Sequence, residues 1–139
     1  MVDALKEIWR VLVADGCMLD WRDRPANWPL EIVIGEQVHV AGSADVSSRI
    51  PKHAASDEAL GRVVDEGWFV CERQCAFDCI WYWDTLDELK DHMEKSIPEA
   101  VWTEAQRLIA ESGEETRVRL RRNMGISRYR KRTVGIKPQ

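Results

Sequence analysis

Asp3-Ala4-Leu5-Lys6-Glu7-Ile8-Trp9-Arg10-Val11-Leu12-Val13-Ala14-Asp15-Gly16-Cys17-Met18-Leu19-Asp20-Trp21-Arg22 is the stretch on which the fold turns. Leu5, Ile8 and Leu12, with Val11 beside them, recur at helical spacing and predict a short amphipathic helix. Asp3 offers an N-cap, and Gly16 offers the left-handed residue on which helices end. Cys17-Met18-Leu19 then reads as a buried strand ending on Asp20, where polar chemistry gathers in an α/β sheet.

Ala4 to Leu12 followed by Gly16 resembles the late core of S-adenosylmethionine-dependent methyltransferases with the Rossmann-like fold. In that family a helix and a Lys-Pro-Gly-Gly turn precede the fifth strand; here the turn is Val13-Ala14-Asp15-Gly16 and keeps only the last glycine. Ser56 to Phe69, with Gly67-Trp68-Phe69 at its end, resembles the helix and glycine–aromatic step before the sixth strand. Cys71 to Asp84 resembles the final two strands, and Asp84-Thr85-Leu86-Asp87-Glu88-Leu89 resembles the helix start that follows in one bacterial branch. The resemblance implies an α/β fold with a partial Rossmann-like methyltransferase sheet, its last three strands. To that sheet are added an inserted β-hairpin and C-terminal helices plus a basic strand.

In that family a glycine-rich turn after the first strand and an acidic residue ending the second hold the methyl donor. Glycines admit the close backbone approach and the carboxylate takes the ribose hydroxyls. No Gly-x-Gly-x-x-Gly occurs in the sequence, and no strand stands before residue 3. The expectation is a methyltransferase-like chain without its donor-binding half, a split or truncated subunit inactive alone. S-adenosylmethionine is then a cofactor only where a complementary half supplies its site.

With 139 residues, 45% hydrophobic and 32% charged, the chain is long enough to bury a core. It reads as a single domain in four segments: 1–22 helix and strand, 23–55 loop and hairpin, 56–84 helix and strands, 85–139 helices and basic strand. No run approaches the ~20 apolar residues of a membrane span, and no signal-peptide pattern opens the chain. A cytoplasmic address and no membrane partner are the expectations. Seven tryptophans, each with a large apolar area and one donor, are expected mostly in cores or interfaces.

Trp21 to Pro29 is a polar, proline-punctuated loop. Glu31-Ile32-Val33-Ile34, Gly35-Glu36 and Gln37-Val38-His39-Val40 read as a hairpin with glycine at the first turn position, which sets His39 opposite Ile32. Ala41 to Ser56 reads as looser chain. The resemblance implies that loops here help cover the acceptor, so Asp20, Trp21, Arg22, His39 and His53 are its candidate substrate-side residues. The residues themselves equally fit a solvated Arg/Asp loop, a packed Trp21 and a packed or solvated His39. No nucleophile–histidine–acid set emerges from spacing, and His53 near Asp57 does not make one.

Cys71, Cys75 and Cys79 lie four apart in a segment that reads as extended. Neighbours in that series would stand about 13 Å from each other, too far to share one ion. Buried free thiols and no metal are expected.

Leu86, Leu89 and Met93 mark a helix, and Pro98 fits the first turn of the next. That helix carries Val101, Ala105, Leu108 and Ile109 on its apolar side and closes on Gly113. Arg117-Val118-Arg119-Leu120-Arg121 alternates strictly, the pattern of a half-buried strand with an arginine face. From Glu115 onward nine basic residues meet one acidic residue, although the whole chain is −4.

A cationic strip of this kind can track phosphates through Arg119, Arg121 and Arg130, with Tyr129 as a stacking surface; this is the alternative, nucleic-acid-binding reading. It can also meet the acidic body or keep an edge strand soluble. No nucleic-acid motif accompanies it, and related methyltransferase-like proteins end on a similar Arg-Val-Arg-Leu-Arg strand. Without a fourth strand beside it, Cys17-Met18-Leu19 is expected to leave a free edge. A homodimer, or pairing with a complementary N-terminal half, follows.

Overall fold

The computed structural model describes residues 1–133, so Lys137 of the basic segment lies outside the described residues. In chain order the elements are α1 (Val2–Val11), β1 (Cys17–Asp23), β2 (Trp28–Ile34), β3 (Gln37–Ala44) and α2 (Ile50–Asp65). They continue with β4 (Phe69–Trp83), α3 (Leu86–Met93), α4 (Glu99–Ser112) and β5 (Thr116–Lys131). Among the described residues the class is α/β, four helices with a five-strand antiparallel open sheet. Hydrogen-bonded order is β1-β5-β2-β3, with β4 also on β5. The chain gathers into two compact units. Among the described residues one holds 1–24, 49–77 and 124–133; the other holds 25–48 and 78–123.

In the first unit, β1 pairs with β5 from Cys17 opposite Arg130 to Asp23 opposite Met124. α1 and α2 supply Leu5, Ala59, Leu60 and Val63 to a core that also takes Phe69 and Tyr129. The helical spacing of α1 is therefore used as read, but its ends differ. Met1 is the N-cap and Asp3 sits in the first turn, while Leu12 leaves the helix in extended geometry. The left-handed residue is Asp15, at φ 58°, not Gly16. Gly16 is small for another reason: a Cβ there would stand 2.9 Å from the Val13 carbonyl oxygen. β1 is also not a buried strand, since Leu19 and Trp21 are each 62% exposed.

The end of β5 is locked onto α1 in the same unit. Lys131 Nζ donates to the Leu12 carbonyl at 2.6 Å, and Trp9 Nε1 donates to that of Arg132 at 3.1 Å. Lys131 also lies 4.3 Å from the Trp9 ring centre, and Trp9 meets Trp68 edge-on at 5.0 Å.

In the second unit, β2 and β3 form the hairpin with Gly35 at φ 59°, and Ile32 stands opposite His39 as the turn position requires. β5 continues the sheet, with Leu30 opposite Leu120 and Ile32 opposite Val118. All four are essentially inaccessible to solvent. They form one core with Leu89 of α3 and with Val101, Trp102 and Ala105 of α4. Strict alternation over 117–121 is thus the signature of a real strand with its valine and leucine inward. Gly113 ends α4 at φ 62°, while Pro98 is its N-cap rather than a first-turn residue.

Three segment readings change. Trp21 to Pro29 is not all loop, since β1 runs to Asp23 and β2 already begins at Trp28. Cys71 to Asp84 is one continuous strand up to Trp83, not the final two; the last strand is β5, reached after α3 and α4. Ala41 to Ser56 is not loose chain: Ala44 still belongs to β3, and α2 already begins at Ile50. Pro51 sits at the start of α2, where its missing N–H removes nothing from the helix.

Candidate functional site

β1 alternates its side chains, so Asp20 and Arg22 share a face while Trp21 takes the other. Arg22 Nε donates to Asp20 at 2.9 and 3.1 Å, and its terminal nitrogens reach Asp57 Oδ1 at 2.6 Å and the His53 carbonyl at 3.4 Å. Beside it, Asp23 Oδ2 accepts from Arg49 at 2.8 Å and lies 3.7 Å from His53 Nε2. Strand end and helix start of the first unit are thereby joined by three carboxylates, two guanidiniums and an imidazole.

Burial pulls the Arg22 guanidinium toward lower pKa, but hydrogen bonding to Asp57 and the Asp20 charge overcome it and hold the group more firmly protonated. Burial likewise pushes the Asp23 carboxyl up, yet the Arg49 hydrogen bond, with the charges of Arg49 and His53, keeps it below the ordinary aspartate range. Both are charge-pairing effects, the kind a structural network and a functional site share.

Of the sequence candidates, Asp20, Arg22 and His53 come together, with His53 only 12% exposed at its side chain. Trp21 does not join them; it tilts against Phe77 at a ring separation of 6.2 Å. His39 stays on the hairpin of the second unit, opposite Ile32. Asp23, Arg49 and Asp57 are members that local reading assigned no role, because Arg22 and Asp57 are 35 residues apart. Chemically the cluster is a charge lock. His53 is its one member whose ring can both accept and donate a proton.

The arginine strip is partnered within the chain. Arg119 Nε donates to Glu31 at 2.5 Å and Arg121 Nε to the same carboxylate at 2.7 Å, while Arg121 also reaches Asp78 at 3.2 Å. Arg130 pairs with Glu72, which also takes Arg128 at 3.0 Å. Tyr129 is not a stacking surface: it is 5% exposed, packed in the first unit's core, and burial raises its phenol pKa. The geometry therefore favours the arginine face meeting acidic groups of its own chain over phosphate tracking.

Cys71, Cys75 and Cys79 all lie along extended β4, and the four thiols are unbridged. They are not buried as expected: Cys75 is exposed and the other three are half-buried. Among the described residues no three His, Cys, Asp or Glu side chains gather closely enough to hold an ion. Nor, among these residues, is any helix long and apolar enough to cross a membrane. No protein-family model, curated protein or solved structure matches this chain.

Proposed function

We propose that this chain is the rear portion of a Rossmann-like S-adenosylmethionine-dependent methyltransferase sheet, carrying the acceptor side and not the donor site. The observation that carries the reading is the pairing of β1 with β5 over seven consecutive positions. The resemblance sets the family's fifth strand beside its seventh. β1 is the strand after the helix–glycine step, and β5 is the last strand of the described chain.

The residues present do not fit the methyl donor. The donor's turn follows the family's first strand, not the fifth that β1 stands for, and no Gly-x-Gly-x-x-Gly follows any strand of this chain. What these residues contribute is position: the Asp20–Arg22–Asp57 lock fixes the strand end, and acceptor alignment is the larger part of such catalysis. In a titration calorimeter the purified chain is expected to give no saturable heat with S-adenosylmethionine. Micromolar affinity would overturn the proposal.

An open apolar surface supports the need for a cover. Leu19 and Trp21 are 62% exposed and Phe77 39%, all in the first unit, and β1 has no strand on its second edge among the described residues. Such edges and patches are sites of association. A complementary half covers them in the assembled enzyme, and a second copy covers them when the chain is alone. Sedimentation at tens of micromolar is expected to return twice the 16.1 kDa protomer mass. Trp21→Glu is expected to return that mass once, and a wild-type monomer at that concentration defeats the self-association.

A further inference from the structure

Ile80-Trp81-Tyr82-Trp83 closes β4 inside the second unit. β4 is hydrogen-bonded to β5, and among the described residues its other edge carries no strand. Edge strands are ordinarily blunted by a charge, a proline or a bulge, and this run holds neither charge nor proline. Alternation sets Trp81 and Trp83 on one face and Tyr82 on the other. Trp81 is 47% and Tyr82 48% exposed, so the strand is open on both faces as well as along its edge.

A groove of about 660 Å³ is walled by Ile80, Trp81, Tyr82 and Trp83 and, from α3, by His92 and Met93. Residues of both strand faces line it, which places it at the edge. Its two walls are fixed to each other. Glu88 N donates to Thr85 Oγ1 at 3.2 Å and Asp84 N to Glu88 Oε2 at 3.1 Å, a reciprocal pair that caps α3 at its turn from β4. A groove between an open strand edge and a helix is one into which an extended peptide adds as a further strand.

Charge selects the occupant. Among the described residues no carboxylate lines the groove, and the charges on its rings are guanidiniums. Arg122 lies 3.9 Å from the Trp81 ring centre, and Arg117 and Arg119 lie 5.0 and 5.9 Å from that of Tyr82. Arg119 is taken by Glu31, but Arg117 is exposed and, among the described residues, meets Tyr82 and no carboxylate. From β5 it reaches over Tyr82 toward the free edge. Two copies pairing these edges about a two-fold axis would bring two such guanidiniums onto one face, whereas an acidic strand neutralises the one.

We propose that the Ile80–Trp83 edge binds an extended acidic segment of another protein as an added strand. Its apolar side chains lie on Trp81 and Trp83, and its alternate carboxylates lie on the Arg117 side. Neither the β1–β5 pairing nor a methyl donor enters this assignment.

Acetyl-Val-Glu-Val-Glu-Val-Glu-amide is the probe, titrated into the full chain and followed by tryptophan fluorescence and amide hydrogen exchange. Saturable binding is expected, with slower exchange at amides within Ile80–Trp83. Acetyl-Val-Lys-Val-Lys-Val-Lys-amide is expected to bind at least about ten-fold more weakly. Arg117→Ala, an exposed change that leaves the core intact, is expected to weaken the glutamate peptide about two- to five-fold and to spare the lysine peptide. Alternate residues of a strand turn their N–H groups to the same edge, so methylating the valine nitrogens and methylating the glutamate nitrogens block opposite edges. One methylated peptide is expected to bind and the other to lose about ten-fold or more. Absent saturation, equal binding by the glutamate and lysine peptides, equal binding by the two methylated peptides, or unchanged exchange at Ile80–Trp83 would each defeat the assignment. A fall in sedimenting mass on adding the peptide would also defeat it, giving the edge to a second copy.

Discussion

Glu31→Gln is expected to lower the stability of the chain by about 2–3 kcal/mol, the range for breaking a buried ion pair from one side, reduced for partial exposure. Glu31 is 3% exposed on β2 and takes Arg119 and Arg121 together. Removing its charge leaves two guanidiniums facing each other, of which Arg119 is 11% and Arg121 33% exposed at the side chain. Arg119 keeps the Tyr82 hydroxyl at 3.2 Å and Arg121 keeps Asp78, which holds the loss to the lower part of the range. The same site sets a pH response. Burial pushes the Glu31 carboxyl up, but the hydrogen bonds from Arg121 and Arg119 win and hold it below the ordinary glutamate value of 4.5. A carboxyl depressed in the folded state contributes stability that is complete above that ordinary value and lost as pH falls through the folded one. Urea midpoints at pH 7 and pH 3 are therefore expected to separate wild type from Glu31→Gln at pH 7 and to bring them closer at pH 3. Equal midpoints at pH 7 would show the network to be energetically idle. Replacing all three charges by Leu and Met is expected to restore most of the stability, because the carboxylate offsets a cost that the arginines themselves create.

Local periodicity made several elements legible. Leu5, Ile8 and Leu12 marked α1, Gly35 set the Ile32–His39 register, and Val118 and Leu120 alternated inward between arginines. Each depends on residues within one turn or one strand. The ion networks do not. Glu31 meets Arg119 and Arg121 across 88 and 90 residues, and no local pattern couples a single acid in the run Leu30-Glu31-Ile32-Val33 to arginines that distant. The available signal was the oddity itself, since a carboxylate in an otherwise apolar strand requires a cation. The resemblance implies two strands over Cys71 to Asp84, where the structure has one that runs through Asp78. Arg121 and Asn123 hold that carboxylate at 3.2 and 3.1 Å, so the strand passes through it. At the candidate site Asp20, Arg22 and His53 were nameable, whereas Asp57 and Arg49 enter only through the packing of α2 beside β1. Open faces are the least legible: the run Cys17-Met18-Leu19 reads as a buried strand, and nothing local tells that Leu19 and Trp21 are left bare.

Gly42→Ala is expected to cost about 2–4 kcal/mol, combining backbone strain with overpacking. Gly42 pairs with Leu30 where the β2–β3 register slips, so that Glu31 already faces Val40 and Ala41 is the extra residue. Its φ of 149° is one that side-chain-bearing residues rarely adopt, and a Cβ there would stand 2.6 Å from Val101 Cγ2 and 3.1 Å from Cγ1. Val101 cannot turn away. It is β-branched, held to essentially one rotamer on a helix, and 9% exposed in the first turn of α4. α4 must therefore lift from β3, and it takes Trp102 and Ala105 with it out of the core that also seats Leu89 of α3. The two contributions separate in a double-mutant cycle. Val101→Ala removes both γ-carbons, so in its background Gly42→Ala keeps the strain and loses the clash, and the coupling between the sites is expected at about 1 kcal/mol or more. Additive effects would place the whole cost in the backbone. A Gly42→Ala variant as stable as wild type would mean that β3 and α4 do not approach so closely, and that the bulge between Leu30 and Glu31 is not what lets this helix reach the sheet.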